Sequence, residues 1–424
     1  MLDIKFIREN PDKVRQSLKN RNTKFDLDIV LKTDEERRRL LTETEQLKAQ
    51  QNKESDEIAI LKKKGDQIQP KLDELKVKSQ KIKDLSQKVD KISQKLQDLL
   101  LRIPNIPHSS VPVGPDATHN KIVKTWGKEQ KFDYNPKNHI EIGEFLNIIS
   151  FSGSSKITGS GFSLFIGKGA KLVRALMSFM IDLHVNKHGY TEIWPPALVN
   201  RDSMISTGQL PKLEDDMYKL KDEDLFLIPT AEVPVTNIHR NEVLDEGRLP
   251  IYYTAYTPCF RKEAGSYGKD TKGLIRVHQF DKVEMVKFVK PEKSWEELES
   301  LLQNAEEVIQ LLEIPYRVVL LSTGDISFAA SKCYDIEIWA PGAAKWLEVS
   351  SCSNFTDFQA RRGSIKYKDK KTKKTEFVHT LNGSGVAFAR LIIAILENYQ
   401  QKDGSVIIPK ALKPYMGKDE TLKP

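Results

Sequence analysis

From about Thr33 to Leu101 the chain carries apolar side chains at intervals of three and four, less regularly in the first half, within a background of Lys, Glu and Gln. This heptad-like spacing is typical of a coiled coil, and it shows one phase slip near Ile82. Gly65 and Asp66 indicate a reversal of the chain, and Pro70 is tolerated only in the first turn of a helix. We therefore predict an antiparallel hairpin of two helices over about 33–101, each about 45 Å long at about 30 residues. The second limb carries the most regular positions, which are Ile68, Leu72, Leu75, Ile82, Leu85, Val89, Ile92, Leu96 and Leu99.

The segments that flank this hairpin have different patterns. Apolar residues at helical spacing within residues 1 to about 30 predict a small helical base. RIPNIPHSSVPVGP, at 102–115, is rich in proline, which removes a donor and restricts the preceding residue. The predicted domains are a helical arm domain at 1–102, a Pro-rich linker at 103–116 and a second domain at 117–424. The apolar positions of the base are Phe6, Ile7, Val14 and Leu18.

From about Asp116 the pattern changes to strands separated by helices, which predicts an α+β domain. A helix near Ala170–Asn186 precedes TEIWPPALV, which has the composition of a strand. Further strands are predicted at Tyr316–Thr323, Cys333–Ala340 and Lys345–Cys352.

Composition and charge indicate how many domains the chain has and what its helical arm could bind. A chain of 424 residues with 39% hydrophobic content is too long for one compact core, which favours two domains. Residues 61–102 hold 12 Lys and Arg against 6 Asp and Glu, a net charge of +6 out of +8 for the chain. A solvated surface without a partner is the first interpretation of such a limb. The second is a surface for a phosphate backbone, where lysine contacts gain from counterion release.

The cysteines and the apolar runs indicate the compartment. Cys259, Cys333 and Cys352 lie far apart, so a disulfide framework or structural zinc is not expected. No run of about 18 apolar residues occurs, and the N-terminus lacks a signal-peptide pattern. We expect a cytoplasmic protein without a membrane segment.

The segment from Phe260 to Met285 carries the densest candidate chemistry. IYYTAYTPCF is rich in β-branched and aromatic residues and predicts a strand, so Arg261 and Glu263 are expected to point the same way. One face would offer a cation, an aromatic ring and a carboxylate, as a nucleotide site requires. The alternative is an antiparallel hairpin with a charged solvent face, and a phosphate loop is excluded because no GxxxxGK[ST] is present. After the intervening loop, period 2 places on one face Arg276, His278, Phe280 and Glu284. It places on the other, packing face Ile275, Val277, Val283 and Met285.

The same segment resembles motif 2 of the class II aminoacyl-tRNA synthetases, with Phe260-Arg261-Lys262-Glu263 before the loop and Arg276 and Phe280 after it. The helix and strand around Pro196 resemble motif 1, and GSGVAFAR, with Arg390, resembles motif 3. Six ordered segments together are similar to the bacterial seryl-tRNA synthetase family: TGQLPK at 207–212, IPTAEVPVTN at 228–237, TAYTPCFRKEAGS at 254–266, KGLIRVHQFDKVEM at 272–285, EVSSCSNFTDFQARR at 348–362 and HTLNGSGVAFAR at 379–390.

This resemblance implies an antiparallel β-sheet catalytic domain flanked by helices, joined to the N-terminal helical hairpin. It implies that L-serine is activated with ATP and Mg²⁺ to seryl-adenylate and then transferred to tRNA(Ser), and it leaves charging of tRNA(Sec) open. The hairpin would grip the long variable arm of the tRNA, by shape and backbone more than by base edges. A homodimer with Pro196 at its interface is also implied.

The resemblance further implies roles for individual residues. The catalytic residues would be Arg261, Arg390 and Glu348, and Glu348 and Ser351 would hold Mg²⁺. In a regular strand these last two face opposite sides, so a bulge between them is expected. Ala387 and Phe388 depart from the general motif 3 pattern. The implied ATP-binding residues are Arg261, Lys262, Glu263, Arg276, Phe280, Glu348, Val349, Ser350, Ser351 and Arg390, and the implied serine-binding residues are Thr230, Ala231, Glu232, Glu284, Asn382 and Ser384.

Two other functions stay open at this point. The chain could be a synthetase paralogue that charges a carrier protein, or a nucleic-acid-binding scaffold with a catalytically inactive second domain. Intact Arg261, Glu284 and Arg390 argue against the inactive scaffold.

Overall fold

The computed structural model of the protein describes residues 1–65, 67–263 and 272–424. They form two compact units, one of Leu2–Lys19 and Thr23–Pro104, the other of Met1, Asn20–Asn22 and Asn105–Pro424. The first unit is helical, with α1 at Ile4–Glu9, α2 at Pro11–Asn20, α3 at Leu27–Lys64 and α4 at Gln69–Leu100.

The antiparallel pair α3 and α4 is the hairpin that the heptad-like pattern predicts. Gly65 ends α3 in the left-handed conformation with φ +79°, and Pro70 lies in the first turn of α4. Asp66, the other residue of the predicted reversal, lies outside the described residues. The predicted start at about residue 33 is wrong by six residues, because the Asp26 carboxylate caps the helix by accepting a 2.9 Å hydrogen bond from the Asp28 amide.

Polar and ionic pairs cross between the two limbs of the hairpin. The Gln51 amide donates to the Ser79 hydroxyl at 2.6 Å, and Lys81 lies 3.3 Å from Glu43. Both members of the ion pair are well exposed, so the pair contributes little to the free energy of unfolding. The apolar seam is the main stabilising element, and its buried members are Leu40, Ile58, Ile82, Leu85 and Leu96.

The second unit mixes helices with a large sheet. Its helices are α5 at His139–Phe145, α6 at Phe151–Thr158, α7 at Lys168–Asn186, α8 at Arg201–Thr207, α9 at Glu232–Thr236, α10 at Ser294–Leu311, α11 at Phe358–Gly363 and α12 at Phe388–Asn398. Its strands are β1 at Lys121–Trp126, β2 at Thr191–Glu192, β3 at Leu198–Asn200, β4 at Leu225–Leu227, β5 at Val243–Asp245, β6 at Ile251–Phe260, β7 at Gln279–Val289, β8 at Tyr316–Leu320, β9 at Lys332–Ala340, β10 at Lys345–Asn354, β11 at Lys366–Lys368, β12 at Thr375–Phe377, β13 at His379–Ala387, β14 at Val406–Ile407 and β15 at Thr421–Leu422.

Eight of these strands form one sheet in the order β1-β8-β9-β10-β13-β7-β6-β2. Every neighbouring pair in it is antiparallel except β2 and β6. The α+β prediction with an antiparallel sheet is therefore confirmed. The strands β6, β7, β13 and β10 are consecutive in the sheet. Along the chain, however, the end of β6 at Phe260 and the end of β10 at Asn354 are 94 positions apart.

The largest apolar core lies where α7, α10 and α12 pack on this sheet. The side chains of Val283 and Met285 on β7 are fully buried in it, as the period-2 pattern of that segment predicts. Helix α7 matches the helix predicted near Ala170–Asn186. The other members include Leu172, Leu176, Leu298, Leu301, Ile336, Ile338, Leu391, Ala394 and Ile395.

Two predicted strands differ from those observed. TEIWPPALV is not one strand, because pairing stops after Glu192 and resumes at Leu198, and the prolines at 195 and 196 have no amide proton to donate to a neighbouring strand. The strand predicted to reach Thr323 ends at Leu320.

Cys259, Cys333 and Cys352 are buried free thiols. Among the described residues, no helix is both long enough and apolar enough to cross a bilayer.

Candidate active site

A cavity of about 700 Å³ opens on the face of the sheet formed by β6, β7, β13 and β10. Residues from widely separated segments meet there because these strands are neighbours. Twelve of the residues implied by the resemblance line it, namely Thr230, Glu232, Arg261, Glu263, Arg276, Phe280, Glu348, Val349, Ser351, Asn382, Ser384 and Arg390.

A cation and an aromatic ring lie side by side at one end of this cavity. The guanidinium carbon of Arg261 is 5.1 Å from the centre of the Phe280 ring. The amide of Arg261 donates to the carbonyl of His278 at 2.9 Å, which holds the chain after β6 beside the chain before β7. The pair can bind an anionic group attached to a planar ring.

The route by which these side chains converge differs from the prediction. β6 ends at Phe260, so Arg261 and Glu263 lie beyond the strand, and Glu263 has a positive φ of 50°. Arg276 and His278 likewise precede β7, so a single period-2 face that includes them is wrong. Residues 264–271 of the predicted loop lie outside the described residues.

An ion pair joins the two sides of the motif 2 segment. Nη1 of Arg276 donates to Oε2 of Glu263 at 2.7 Å, and the Arg276 side chain is 41% exposed. A partly exposed guanidinium can exchange this carboxylate for a phosphate group, since each presents two acceptor oxygens to the N–H donors of arginine.

A buried polar network forms the inner part of the cavity. The Glu284 carboxylate accepts from the Asn382 amide at 2.8 Å and from the Thr230 hydroxyl at 3.3 Å. The Lys282 ammonium pairs with the same carboxylate and donates to Thr230 at 3.0 Å. Each of these four side chains is at most 9% exposed, so the network presents hydrogen-bonding groups in a desolvated site. Such a site can select a small polar ligand.

Glu232 is a second carboxylate at the same end. Burial, together with the negative charge of Glu284, raises the pKa of Glu232 to about 7. Its Oε1 accepts a hydrogen bond from the Gln359 side-chain amide at 2.5 Å.

An irregularity in β10 brings Glu348 and Ser351 to one side of the strand. The register against β9 shifts between Glu348 and Ser350, as the predicted bulge requires. Oγ of Ser351 then lies 3.4 Å from Oε1 of Glu348 and donates a short hydrogen bond to Asp335 on β9. Burial and the neighbouring Glu348 raise the pKa of Asp335 well above its usual range.

Arg390 approaches the same group from the first turn of α12. Its Nη1 donates to the Glu348 carbonyl at 2.8 Å and lies 3.5 Å from Oε2 of the same residue. Its Nε donates to the Ile275 carbonyl at 3.1 Å. The guanidinium therefore links β10 with the chain before β7 at the rim of the cavity.

The oxygen donors at the β10 bulge fit a magnesium ion. Mg²⁺ is usually bound by one or two carboxylates together with substrate phosphates, and Glu348 and Ser351 supply two converging oxygen atoms beside Arg390. Within 1–65, 67–263 and 272–424, no three His, Cys, Asp or Glu side chains are grouped as a complete protein-only metal site.

Some implied residues do not line the cavity. Lys262 donates its amide to the Asp216 carbonyl, and Ala231 packs in a separate apolar cluster. The Ser350 hydroxyl donates to the Ser384 carbonyl, and Glu284 lies beneath the cavity lining. Pro196 lies in the extended segment after β2.

Three residues of the site were missed by the sequence interpretation. Lys282 could have been found, because the period that places Phe280 and Glu284 on one face places Lys282 there too. Asp335 lies opposite Ser351 in the register of β9 and β10, and Gln359 reaches Glu232 from α11. No local pattern indicates either contact.

Comparison with known proteins gives matches over both units. Residues 1–107 match the model of the seryl-tRNA synthetase N-terminal domain. Residues 217–399 match the tRNA synthetase class II core domain of the G, H, P, S and T enzymes.

Full-length relatives and solved structures are also similar. A serine–tRNA ligase from Thermodesulfovibrio yellowstonii is 56% identical over 99% of both chains, and one from Caldanaerobacter subterraneus is 57% identical over 99% of both. The crystal structure of a Pyrococcus horikoshii seryl-tRNA synthetase complexed with ATP has a TM-score of 0.93 at 42% identity, and each chain is covered completely. A Giardia lamblia prolyl-tRNA synthetase, at 17% identity and a TM-score of 0.56, shares the fold over 65% of this chain and 55% of its own.

Proposed function

The chain belongs to the seryl-tRNA synthetase family, and from that premise we propose how its own residues carry out the reaction. The protein is a class II serine–tRNA ligase. It activates L-serine with ATP to seryl-adenylate and pyrophosphate, and then transfers serine to the 3′ end of tRNA(Ser). The observation that carries the assignment of residues is the convergence of the cation and aromatic pair, the buried polar network and the β10 bulge in one cavity.

Serine is selected by the buried polar network. Glu284 lies beneath the cavity lining and pairs with Lys282, and it receives the α-ammonium group of serine when that group takes the place of the Lys282 ammonium. Thr230, Asn382 and Ser384 contact the hydroxyl and backbone groups. Because these side chains are desolvated, alanine or glycine would leave buried polar groups without a partner, which strongly weakens binding. Glu232 lines the same end of the cavity and adds a second carboxyl group beside this network.

ATP lies between the two sides of the motif 2 segment. Phe280 stacks on the adenine, Arg261 contacts the α-phosphate, and Glu263 accepts from the adenine amino group. The 5.1 Å separation of Arg261 from the Phe280 ring supports this arrangement, because it matches an anionic group beside a ring. Arg276 exchanges its Glu263 partner for a phosphate oxygen, and Arg390 holds the γ-phosphate.

Activation requires a carboxylate oxygen of serine to attack the α-phosphorus as the bond to pyrophosphate breaks. Negative charge grows on the phosphate oxygens, so Arg261 and Arg390 act by positioning and by electrostatic stabilisation. Glu348 and Ser351 hold a magnesium ion, which when bound neutralises charge on the phosphates. No protein base is needed in this step, since the serine carboxylate is already ionised.

The helical hairpin α3–α4 binds the tRNA. Its excess of basic residues at 61–102, 12 against 6 acidic ones, suits a phosphate backbone. We include tRNA(Sec) as a second candidate acceptor because recognition by backbone and shape does not require one base sequence.

The protein acts as a cytoplasmic homodimer in this proposal. Trp194 is 72% exposed two residues before Pro196, in the segment that resembles motif 1. An exposed indole of this kind suits a subunit interface. Three buried free thiols suit a reducing compartment.

The test of this function is ATP–pyrophosphate exchange with Mg²⁺ and each of the twenty amino acids. Exchange with serine and no other amino acid, followed by serine-dependent charging of tRNA(Ser), is the expected result. A folded protein that exchanges serine but charges only a carrier protein would support the paralogue instead. Absence of exchange with all twenty would support the inactive scaffold.

A further inference from the structure

Gln359 is a fully buried amide whose hydrogen bonds connect three segments around the active-site cavity. Its Nε2 donates to the Thr207 carbonyl at 3.2 Å and to Oε1 of Glu232 at 2.5 Å. Its Oε1 accepts from the Thr380 hydroxyl at 2.7 Å. Thr207 ends α8, Glu232 begins α9 and Thr380 lies on β13, so one side chain fixes the spacing of all three.

The partners of Gln359 define which way its amide faces. The Thr207 carbonyl and the Glu232 carboxylate are acceptors, so both must face the NH₂ group. Both N–H bonds and the oxygen of Gln359 are therefore used within the protein, and the side chain has no freedom to turn over. A side chain that is 0% exposed and fully hydrogen-bonded is a rigid support for its neighbours.

The support acts on a group that faces the ligand. Glu232 lines the cavity, whereas Gln359 does not. The hydrogen bond from Gln359 occupies Oε1 of Glu232, and within the described part of the chain no other side chain donates to this carboxylate. Oε2 is left for a donor in the cavity, and the serine hydroxyl and ammonium groups are such donors.

We propose that Gln359 is a positioning residue for serine: it holds the Glu232 carboxyl in one orientation so that Oε2 faces the amino acid. This inference rests on the proposed function of the cavity. Gln359 itself touches no substrate, and it affects serine binding only through Glu232.

The positioning role of Gln359 can be measured through the pKa of Glu232. The charged groups facing Glu232 are Glu284, which raises its pKa, and Lys282 and Arg261, which lower it. The hydrogen bond from Gln359 also favours the carboxylate and lowers the pKa. Removal of that donor therefore raises the pKa of Glu232 further, and the pH dependence of serine binding should move in the same direction.

The test compares Gln359→Met with Gln400→Met. Methionine has a similar length and no N–H donor. Gln400 is the matched control, because it is 3% exposed and its Nε2 also donates two hydrogen bonds, to the carbonyls of Lys137 and Glu397. Neither of these two partners lines the cavity, whereas Glu232 does. Both variants lose a buried amide, so a purely structural effect should be similar in the two.

We expect Gln359→Met to raise the serine KM in pyrophosphate exchange about tenfold or more, because a hydrogen bond to a charged group is lost. The ATP KM should stay within about twofold, and the midpoint of the pH profile of serine KM should move upward. In the Glu232→Gln background the same substitution should have little further effect, because the residue through which it acts is already changed.

Equal serine KM values for Gln359→Met and Gln400→Met would overturn the inference, and so would a full-sized effect in the Glu232→Gln background. Stabilisation by ATP in a thermal shift assay verifies that each variant folds. Absence of serine exchange in the unmodified protein would instead disprove the proposed function, so the two failures are distinguishable.

Discussion

Oγ of Ser351 lies 3.4 Å from Oε1 of Glu348, although the two residues are three positions apart on one strand. In a regular strand they would face opposite sides of the sheet. The register of β10 shifts between Glu348 and Ser350, so one residue there does not count in the alternation of side chains. As a result, the Glu348 carboxylate and the Ser351 hydroxyl both face the cavity. The bulge therefore creates the pair of oxygen donors proposed for magnesium.

Replacement of Glu348 by Gln is expected to raise the Mg²⁺ concentration needed for half-maximal pyrophosphate exchange by about tenfold to a hundredfold. A neutral amide oxygen is a weaker ligand than a carboxylate for this ion. The measurement is a Mg²⁺ titration of serine-dependent exchange at fixed ATP. Glu337→Gln is the matched control, since Glu337 lies opposite Glu348 in the register but pairs with Arg317 and does not line the cavity. An unchanged Mg²⁺ requirement in Glu348→Gln would remove this residue from the proposed metal site.

Phe280→Ala should raise the ATP KM about fivefold to 150-fold, because stacking on a nucleotide base contributes about 1–3 kcal/mol. The serine KM should change by no more than about twofold, because the polar network around Glu284 is held by other side chains. Exchange kinetics with ATP and serine varied separately measure both constants. Phe280→Tyr keeps the ring and should resemble the unmodified protein. Equal losses of affinity for ATP and serine would show that the side chain supports the whole cavity and not the nucleotide alone.

Glu232 should make stability depend on pH in a definite window. Its pKa rises from the ordinary 4.5 to about 7 in the folded protein, so between these values the folded state binds more protons than the unfolded state. Its contribution is complete below pH 4.5 and is lost as the pH rises through about 7, a difference of about 3 kcal/mol. The variant Glu232→Gln has no carboxyl group that titrates at this position, so it does not lose this stability as the pH rises.

Thermal unfolding of Glu232→Gln and the unmodified protein, compared from pH 5 to pH 8, measures this effect. The variant should gain stability relative to the unmodified protein as the pH rises. A constant difference across the range would contradict the raised pKa.

Shortening the hairpin should separate the two steps of the reaction. Gln51 and Ser79 face each other across the limbs, so a short glycine linker between them can replace residues 52–78. Serine-dependent pyrophosphate exchange should remain within about twofold, whereas charging of tRNA(Ser) should fall at least about a hundredfold because many phosphate contacts are lost. Charging that survives the deletion would mean that the arm has another role.

Local patterns were sufficient for the turn of the hairpin, for the core-facing residues of β7 and for part of the site. Gly65 and Pro70 identify the turn of the hairpin, and period 2 along β7 identifies which residues face the core. The bulge in β10 was predicted from the requirement that Glu348 and Ser351 reach one ion, and the register shift confirms it.

Contacts between distant segments could not be predicted in the same way. Arg261 and Glu263 reach the cavity from irregular chain beyond β6, where the alternation of a strand gives no direction. Gln359 lies 127 positions from Glu232, and its amide is recognisable as part of the site only once α11 is placed beside α9. The strand expected at TEIWPPALV is interrupted because proline has no amide proton to donate to a neighbouring strand. This rule is local, so the interruption could have been predicted from the sequence.

The burial of Cys259, Cys333 and Cys352 has a practical consequence. Desolvation raises the pKa of each thiol, so none of them carries much reactive thiolate at neutral pH. A thiol-directed dye added to the folded protein should therefore find few targets. A single cysteine introduced on the exposed surface of the hairpin could then be labelled selectively, so fluorescence could test whether the hairpin contacts added tRNA, without first removing the native cysteines.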